Sequence, residues 1–297
     1  MLAKLLRRML LSQALIGAAI GYWVSRHGDS IPWAMVLGAF CAPVLTMVLV
    51  DIVSAVLSRG REPMGMWWRA LFGEFHAGIV VFLLRQPWTN STPAVHPATN
   101  GTHGLPVLLI HGYMCNHRIW DDVSDALRSQ GHTVLAINLE PLFKSIDKYT
   151  PVIENAVQQL RAATGQDKVV LVGHSMGGLA ARAWMRVHGI DHAAGAITLG
   201  TPHVGTKIAK GQHSHNGKQM EWHSPWLTEL AASETAATRA LFQIAITPQD
   251  NIVFPQRQQV LAGITPTVFE GLGHLQLCLD SAVIAWLLAR IAALQPR

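Results

Sequence analysis

The five residues Gly173-His174-Ser175-Met176-Gly177 constrain this chain more than any other stretch. The apolar run Lys168-Val169-Val170-Leu171-Val172 precedes them and reads as a buried strand. Gly178-Leu179-Ala180-Ala181-Arg182-Ala183-Trp184-Met185 follows and reads as a helix. A serine between strand and helix, flanked by glycines, is the pattern of a nucleophile elbow, a tight turn that pushes the hydroxyl outward on a strained backbone. Glycines are needed there because a Cβ at either flank would collide with the neighbouring strand or helix. The helix N-terminus beneath the serine favours developing negative charge.

The remaining parts of an acyl-transfer site follow in order. Leu241-Phe242-Gln243-Ile244-Ala245-Ile246 reads as a strand, and Asp250 falls in the loop beyond it, where sites sit in open parallel sheets. A turn-forming role is the alternative for an Asp beside Pro and Asn. Pro266-Thr267-Val268-Phe269-Glu270 is a further strand, and Gly271-Leu272-Gly273-His274-Leu275 follows it, before a helix expected over 276–294. The chain has fifteen histidines, and a lone one in a loop is ordinarily a surface residue, but His274 has the position a catalytic base requires, after the acid and near the C-terminus. An oxyanion hole needs two preorganised backbone N–H donors. Met176, after the serine, is one candidate. Tyr113 is the other, in His111-Gly112-Tyr113 after the apolar strand 105–110, with Gly112 permitting an unusual backbone path.

The chain resembles bacterial α/β-hydrolase lipases and esterases. His111-Gly112, Gly173-His174-Ser175-Met176-Gly177-Gly178, Leu199-Gly200-Thr201-Pro202-His203-Val204-Gly205-Thr206, Asp250-Asn251-Ile252-Val253-Phe254-Pro255 and Gly273-His274 look like that family's landmarks. The likeness runs from about Leu105 to the C-terminus, and the Leu-Gly-Thr-Pro-His block is typical of lipases more than of hydrolases at large. It implies an α/β-hydrolase fold, a mostly parallel sheet with helices on both faces, and hydrolysis of a lipid or other carboxylic ester. In the calcium-binding lipases an acid lies two residues after the catalytic His. Here that residue is Gln276, so no calcium site is carried over.

The front of the chain is different. Hydrophobic residues make up 50% of the sequence and charged ones 14%, where a soluble domain carries about a quarter charged residues. The apolar excess lies in 9–24 and 33–50, the second run continuing to Leu57 past Asp51. Each approaches the ~20 residues that cross a bilayer core. A signal peptide is the rival for the first, but a second run so soon after it argues for a transmembrane helical hairpin. Lys4, Arg7 and Arg8 precede the pair and Arg59, Arg61 and Arg69 follow it, with Arg26 and Asp29 between. Excess cations mark the cytoplasmic side. The expected setting is a bacterial inner membrane with the catalytic domain in the cytoplasm. Trp68, Phe72, Phe75, Ile79 and Phe82 form one helical stripe, either at the membrane interface or packed on the hydrolase.

The expected organisation is a hairpin over 1–60, an amphipathic helix over 61–86, a Pro/Thr/Asn/Gly-rich linker over 87–104, and a catalytic domain over 105–297. Within the last, residues 205–239 form an insertion whose Trp222, Trp226 and Leu227 offer an apolar cap to acyl chains. Since every proposed catalytic element begins at Leu105 or later, a truncation lacking 1–86 is expected to keep activity on a short soluble ester. Net charge is +5, without a basic stripe interleaved with aromatics. That excludes nucleic acid as an implied partner and fits attraction to anionic lipid headgroups. Three cysteines form no framework, His213-Ser214-His215 lacks further metal-ligand spacing, and no nucleotide motif occurs, so no metal and no cofactor is expected. Thioesterase, amidase or acyltransferase chemistry on the same residues, and a non-catalytic membrane scaffold, are the alternatives.

Overall fold

The computed structural model describes residues 1–26, 31–101 and 104–294. Asp29, counted above between the apolar runs, lies outside them. Three helices come first: α1 (Leu2–Ser25), α2 (Ile31–Ser58) and α3 (Met64–Gly78). The last continues as a π-helical turn, Ile79–Arg85.

The sheet contains seven strands among the described residues: β1 (Val95–His96), β2 (Val107–Ile110), β3 (Val134–Ile137), β4 (Val169–His174), β5 (Ala193–Leu199), β6 (Phe242–Ile246) and β7 (Thr267–Val268). Their order is β1-β3-β2-β4-β5-β6-β7, parallel except for the antiparallel edge pair β1–β3. Helices α4 (Asp121–Ser129), α5 (Thr150–Thr164), α6 (Met176–His188) and α10 (Ser281–Ala292) cover it, with short helices α7 (His215–Gln219), α8 (Pro225–Ala232) and α9 (Ala236–Ala240) between β5 and β6. Alternation along a strand sends successive side chains to opposite faces. Leu108 and Ile110 therefore join the core under α5 and α6, while Val107 and Leu109 join the core under α4 and α10. This is the α/β-hydrolase architecture, and β4, which carries the serine turn, is central and buried along its whole length.

Helices α1 and α2 lie against each other as a hairpin whose backbones nearly touch. A Cβ on Gly17 would run into the Gly38 carbonyl and come within 2.7 Å of the Ala42 side chain, and one on Gly21 would meet the Ala34 carbonyl. Gly17-xxx-Gly21 facing Ala34-xxx-Gly38-xxx-Ala42 is the small-residue spacing that permits such approach between membrane helices. Long and apolar enough to cross a membrane are Ile31–Ser58 and Met64–Trp88, the latter one-third buried in the fold; α1 is not, its apolar run being diluted by Ser12, Gln13 and glycines.

Two segments expected outside the catalytic unit take part in it. β1, within the expected linker, pairs with β3. α3 docks on the sheet domain through Trp67, Ala70, Glu74 and Ala77, and Val81 of the following turn is fully buried in the sheet's second core. The aromatic stripe is the neighbouring face, and Trp68 and Phe72 remain exposed. The docking face carries Trp67 together with small residues and the acid, and the stripe is divided, with Phe82 packed against the second core and Trp68 and Phe72 facing outward. The C-terminal helix also differs from expectation: Leu275–Cys278 is a 3₁₀ turn, and α10 begins only at Ser281, where the Asp280 carboxylate accepts from Ala282 N (2.9 Å) and Val283 N (3.3 Å).

Candidate active site

Ser175 sits between β4 and α6 with φ 54° and ψ −126°, a left-handed conformation that a non-glycine residue holds only when its surroundings fix it. They do: its N–H donates to the Leu199 carbonyl at 2.9 Å, a Cβ on Gly173 would lie 2.7 Å from the Gly177 carbonyl carbon, and one on Gly177 would lie 2.8 Å from the His111 carbonyl oxygen. Gly112 is glycine for space rather than for an unusual path. Its φ is not left-handed, and a Cβ there would stand 2.7 Å from the Ser175 Cβ. The left-handed residue of this loop is Met114, with φ 56°. His111 braces the loop. Its Nδ1 donates to the Gly112 carbonyl (2.8 Å) and its Nε2 accepts from Leu139 N (3.0 Å). Burial drives its pKa down to about 4, so the ring is neutral. Tyr113 and Met176, the expected oxyanion donors, come together around one small hollow.

Asp250 and His274 are brought together and buried. His274 Nδ1 donates to Asp250 Oδ2 at 2.8 Å. The other oxygen, Oδ1, accepts from Ile252 N (2.9 Å) and Val253 N (2.7 Å). The turn-forming and ring-orienting readings of Asp250 therefore both hold geometrically, one per oxygen. Burial opposes a charged His274, but the Asp250 charge and hydrogen bond, with the Glu74 charge, outweigh it and raise the pKa. The ring centroid lies 4.6 Å from that of His174, the residue before Ser175, and His174 Nε2 donates to the His274 carbonyl at 3.1 Å. Gly200, with φ 55°, passes close beneath: a Cβ would lie 3.2 Å from both Asp250 Oδ2 and His274 Nδ1.

Beside Ser175 opens a cavity of about 210 Å³ lined mainly by apolar groups, with Tyr113, Pro202, Ile208, Met220, Ile252 and Val253 among them. The insertion 205–239 covers the serine, but not through the three residues expected. Trp226 donates its Nε1 to Asp147 at 2.9 Å, Trp222 packs on His223 with the Lys207 ammonium 6.0 Å from its ring, and Leu227 is buried in the core. Each large side chain finds a partner or a core away from the cavity, which the smaller Ile208, Ala209 and Met220 line instead. Beneath it the Leu-Gly-Thr-Pro-His block is held by Arg182 of α6, which donates to the His203 carbonyl (2.9 Å) and pairs with buried Glu234. Cys115 and Cys278 are buried and free, with burial pushing both thiols up, Cys115 to about 12.

Sequence reading missed the groups that hold the acid and base loops from outside. Asn251 accepts from His274 N (3.4 Å) and donates to Ser54 Oγ of α2 (3.0 Å). Gln256 donates to the Asp250 carbonyl (2.8 Å) and to the Ser58 carbonyl (3.0 Å). Glu74 of α3 accepts from Leu275 N and Gln276 N. The single acid of a mostly apolar helix, set off its aromatic stripe, was the available signal for Glu74.

With this geometry the chain is an α/β-hydrolase-fold protein. The family described as "alpha/beta hydrolase fold" matches residues 106–216. Within that fold its likeness is to lipases. A triacylglycerol lipase of Burkholderia plantarii is 34% identical over 128 residues, 40% of this chain and 35% of that protein. One from Pseudarthrobacter phenanthrenivorans is 35% identical over 113 residues, 35% of each chain. The chain thus matches about a third of the length of these relatives. Among solved structures, the mature Bacillus licheniformis lipase BlEst2 superposes with TM-score 0.53 at 16% identity, covering 65% of this chain and 96% of that one. Aspergillus fumigatus lipase B gives 0.56 at 14%, covering 67% and 56%. At such identities these likenesses establish the fold.

Proposed function

We propose that the protein is a membrane-anchored serine hydrolase of lipid or acyl esters, with Ser175 as nucleophile, His274 as base and Asp250 as the acid that orients it. The observation that carries this reading is the strained Ser175 turn at an apolar cavity, beside a buried Asp250–His274 pair. The likeness to triacylglycerol lipases supports it.

The Ser175 hydroxyl attacks the ester carbonyl and His274 Nε2 takes its proton. Asp250, bound to Nδ1, holds the tautomer and stabilises the imidazolium. The oxyanion is held by the N–H groups of Met176 and Tyr113. His274 then protonates the departing alcohol, and water activated by the same ring releases the acid from the acyl-enzyme. The cavity takes the acyl chain. Within the hairpin α1–α2 the anchor is α2, the helix long and apolar enough to span, with α1 packed along it; the α1 N-terminus pairs with Glu140 and the end of α2 bonds to Gln256, so both ends of the hairpin meet the catalytic unit on one side. The flanking cations give that side as cytoplasmic. A fluorophosphonate probe tests the reading. It labels the wild-type protein and not Ser175→Ala, and equal labelling of both would sink it.

A further inference from the structure

Glu74 belongs to α3, 200 residues before the base, yet its carboxylate lies against both neighbours of His274. Oε2 accepts from Leu275 N at 2.8 Å and Gln276 N at 3.2 Å, and Oε1 from Leu275 N at 3.0 Å. On the other side, a Cβ at Gly273 would lie 2.6 Å from the Glu74 Cβ. The residue is only 3% exposed. Taking a carboxylate out of water is costly, and a neutral Gln or Asn could accept the same N–H groups. Burial pushes the carboxyl up to about 7, against the pull of the His274 charge and the two N–H donors. The groups facing this region are Asp250 and His174 beside the base, the Cys115 and Cys278 thiols, and Arg69, whose stem lies against Gly271.

We propose that Glu74 is a positioning residue for His274, fixing the backbone on both sides of the base and supplying, with Asp250, a second negative charge that stabilises the imidazolium. The proposal rests on the Ser175–His274–Asp250 reading. It explains why an ionisable acid occupies a place that a neutral acceptor could fill. It also makes a helix joined directly to the anchor part of what holds the catalytic base.

The test is a pH profile of full-length protein in detergent on a short soluble ester. Glu74→Gln keeps the shape and an acceptor oxygen. It is expected to leave KM unchanged, to lower kcat about tenfold, and to move the acid limb of kcat/KM about half a pH unit lower, because removing a negative charge lowers the pKa of the imidazole. Glu74→Asp, which keeps the charge, restores the limb towards its wild-type position. Wild-type kcat and an unmoved limb in Glu74→Gln overturn the proposal and make Glu74 a packing residue only. If Glu74→Gln does not accumulate folded, Glu74→Asp and Glu74→Asn decide, being equal in size with only one of them charged. An acid limb lower in Glu74→Asn than in Glu74→Asp supports the proposal, and equal limbs overturn it. Fluorophosphonate labelling separates the failures: an unlabelled wild type overturns the triad reading itself, whereas labelled wild type with a normal Glu74→Gln profile overturns this proposal alone.

Discussion

One oxygen of Asp250 accepts the His274 ring N–H while the other accepts two backbone N–H groups, so Asp250→Asn changes the ring's partner without emptying the site. Turnover is expected to fall about 10³–10⁴-fold with little change in KM, because the wrong tautomer is favoured. Asp280→Asn should be mild, since Asp280 is occupied in capping α10; steady-state kinetics of the two variants decides between them. The pH response has a definite sign. A raised pKa keeps His274 protonated to higher pH, and only the neutral ring is a base, so activity rises with pH through a midpoint above about 6.5. A kcat/KM midpoint below that value contradicts the arrangement. Gly112→Ala places a methyl against the nucleophile and should lower kcat at least about tenfold, near 1.4 kcal/mol, in steady-state kinetics. At this scale the meeting of Asp250 with His274 and the strained turn at Ser175 were legible because each residue lies in a loop after a strand, in a fixed chain order. The reason for Gly112 was not, because a close approach between two loops leaves no periodic mark in either.

At the scale of elements, the insertion over the serine was visible as a long interval between β5 and β6, but its lining was not. Large aromatics looked suited to acyl chains, yet Trp226 is held by Asp147 and Trp222 by its neighbours, and the cavity wall falls to Ile208, Ala209 and Met220. Met220→Trp should therefore shift preference to shorter acyl esters, whereas Trp222→Ala should leave the chain-length profile in place; a graded ester series reads both. The helix α3 posed the same difficulty. Its aromatic stripe has the stronger helical signal, but the face that docks is the one with Trp67, Ala70, Glu74 and Ala77. Hydrophobic periodicity finds the greasiest face of a helix, which need not be the face that packs.

For the whole molecule, the boundary at Leu105 does not hold. Removing 1–86 takes away Glu74, the buried Val81 and Gln86, whose side chain accepts from Asn116 N. That truncation is expected to be inactive even on a soluble ester. A version beginning at residue 61 keeps these and loses the Ser54–Asn251 bond, so it should retain activity at a severalfold lower kcat. If the shorter protein matches the full chain on a soluble ester, the N-terminal helices are an anchor only. The grip of α3 on the base loop also orders events in time. Translation runs from the N-terminus, and domains assemble as they emerge. Glu74 leaves the ribosome before any strand of the sheet, whereas Leu275, 201 residues later, leaves it after all seven described strands. The loop that carries His274 can therefore be gripped by α3 only after every described strand of the sheet has emerged.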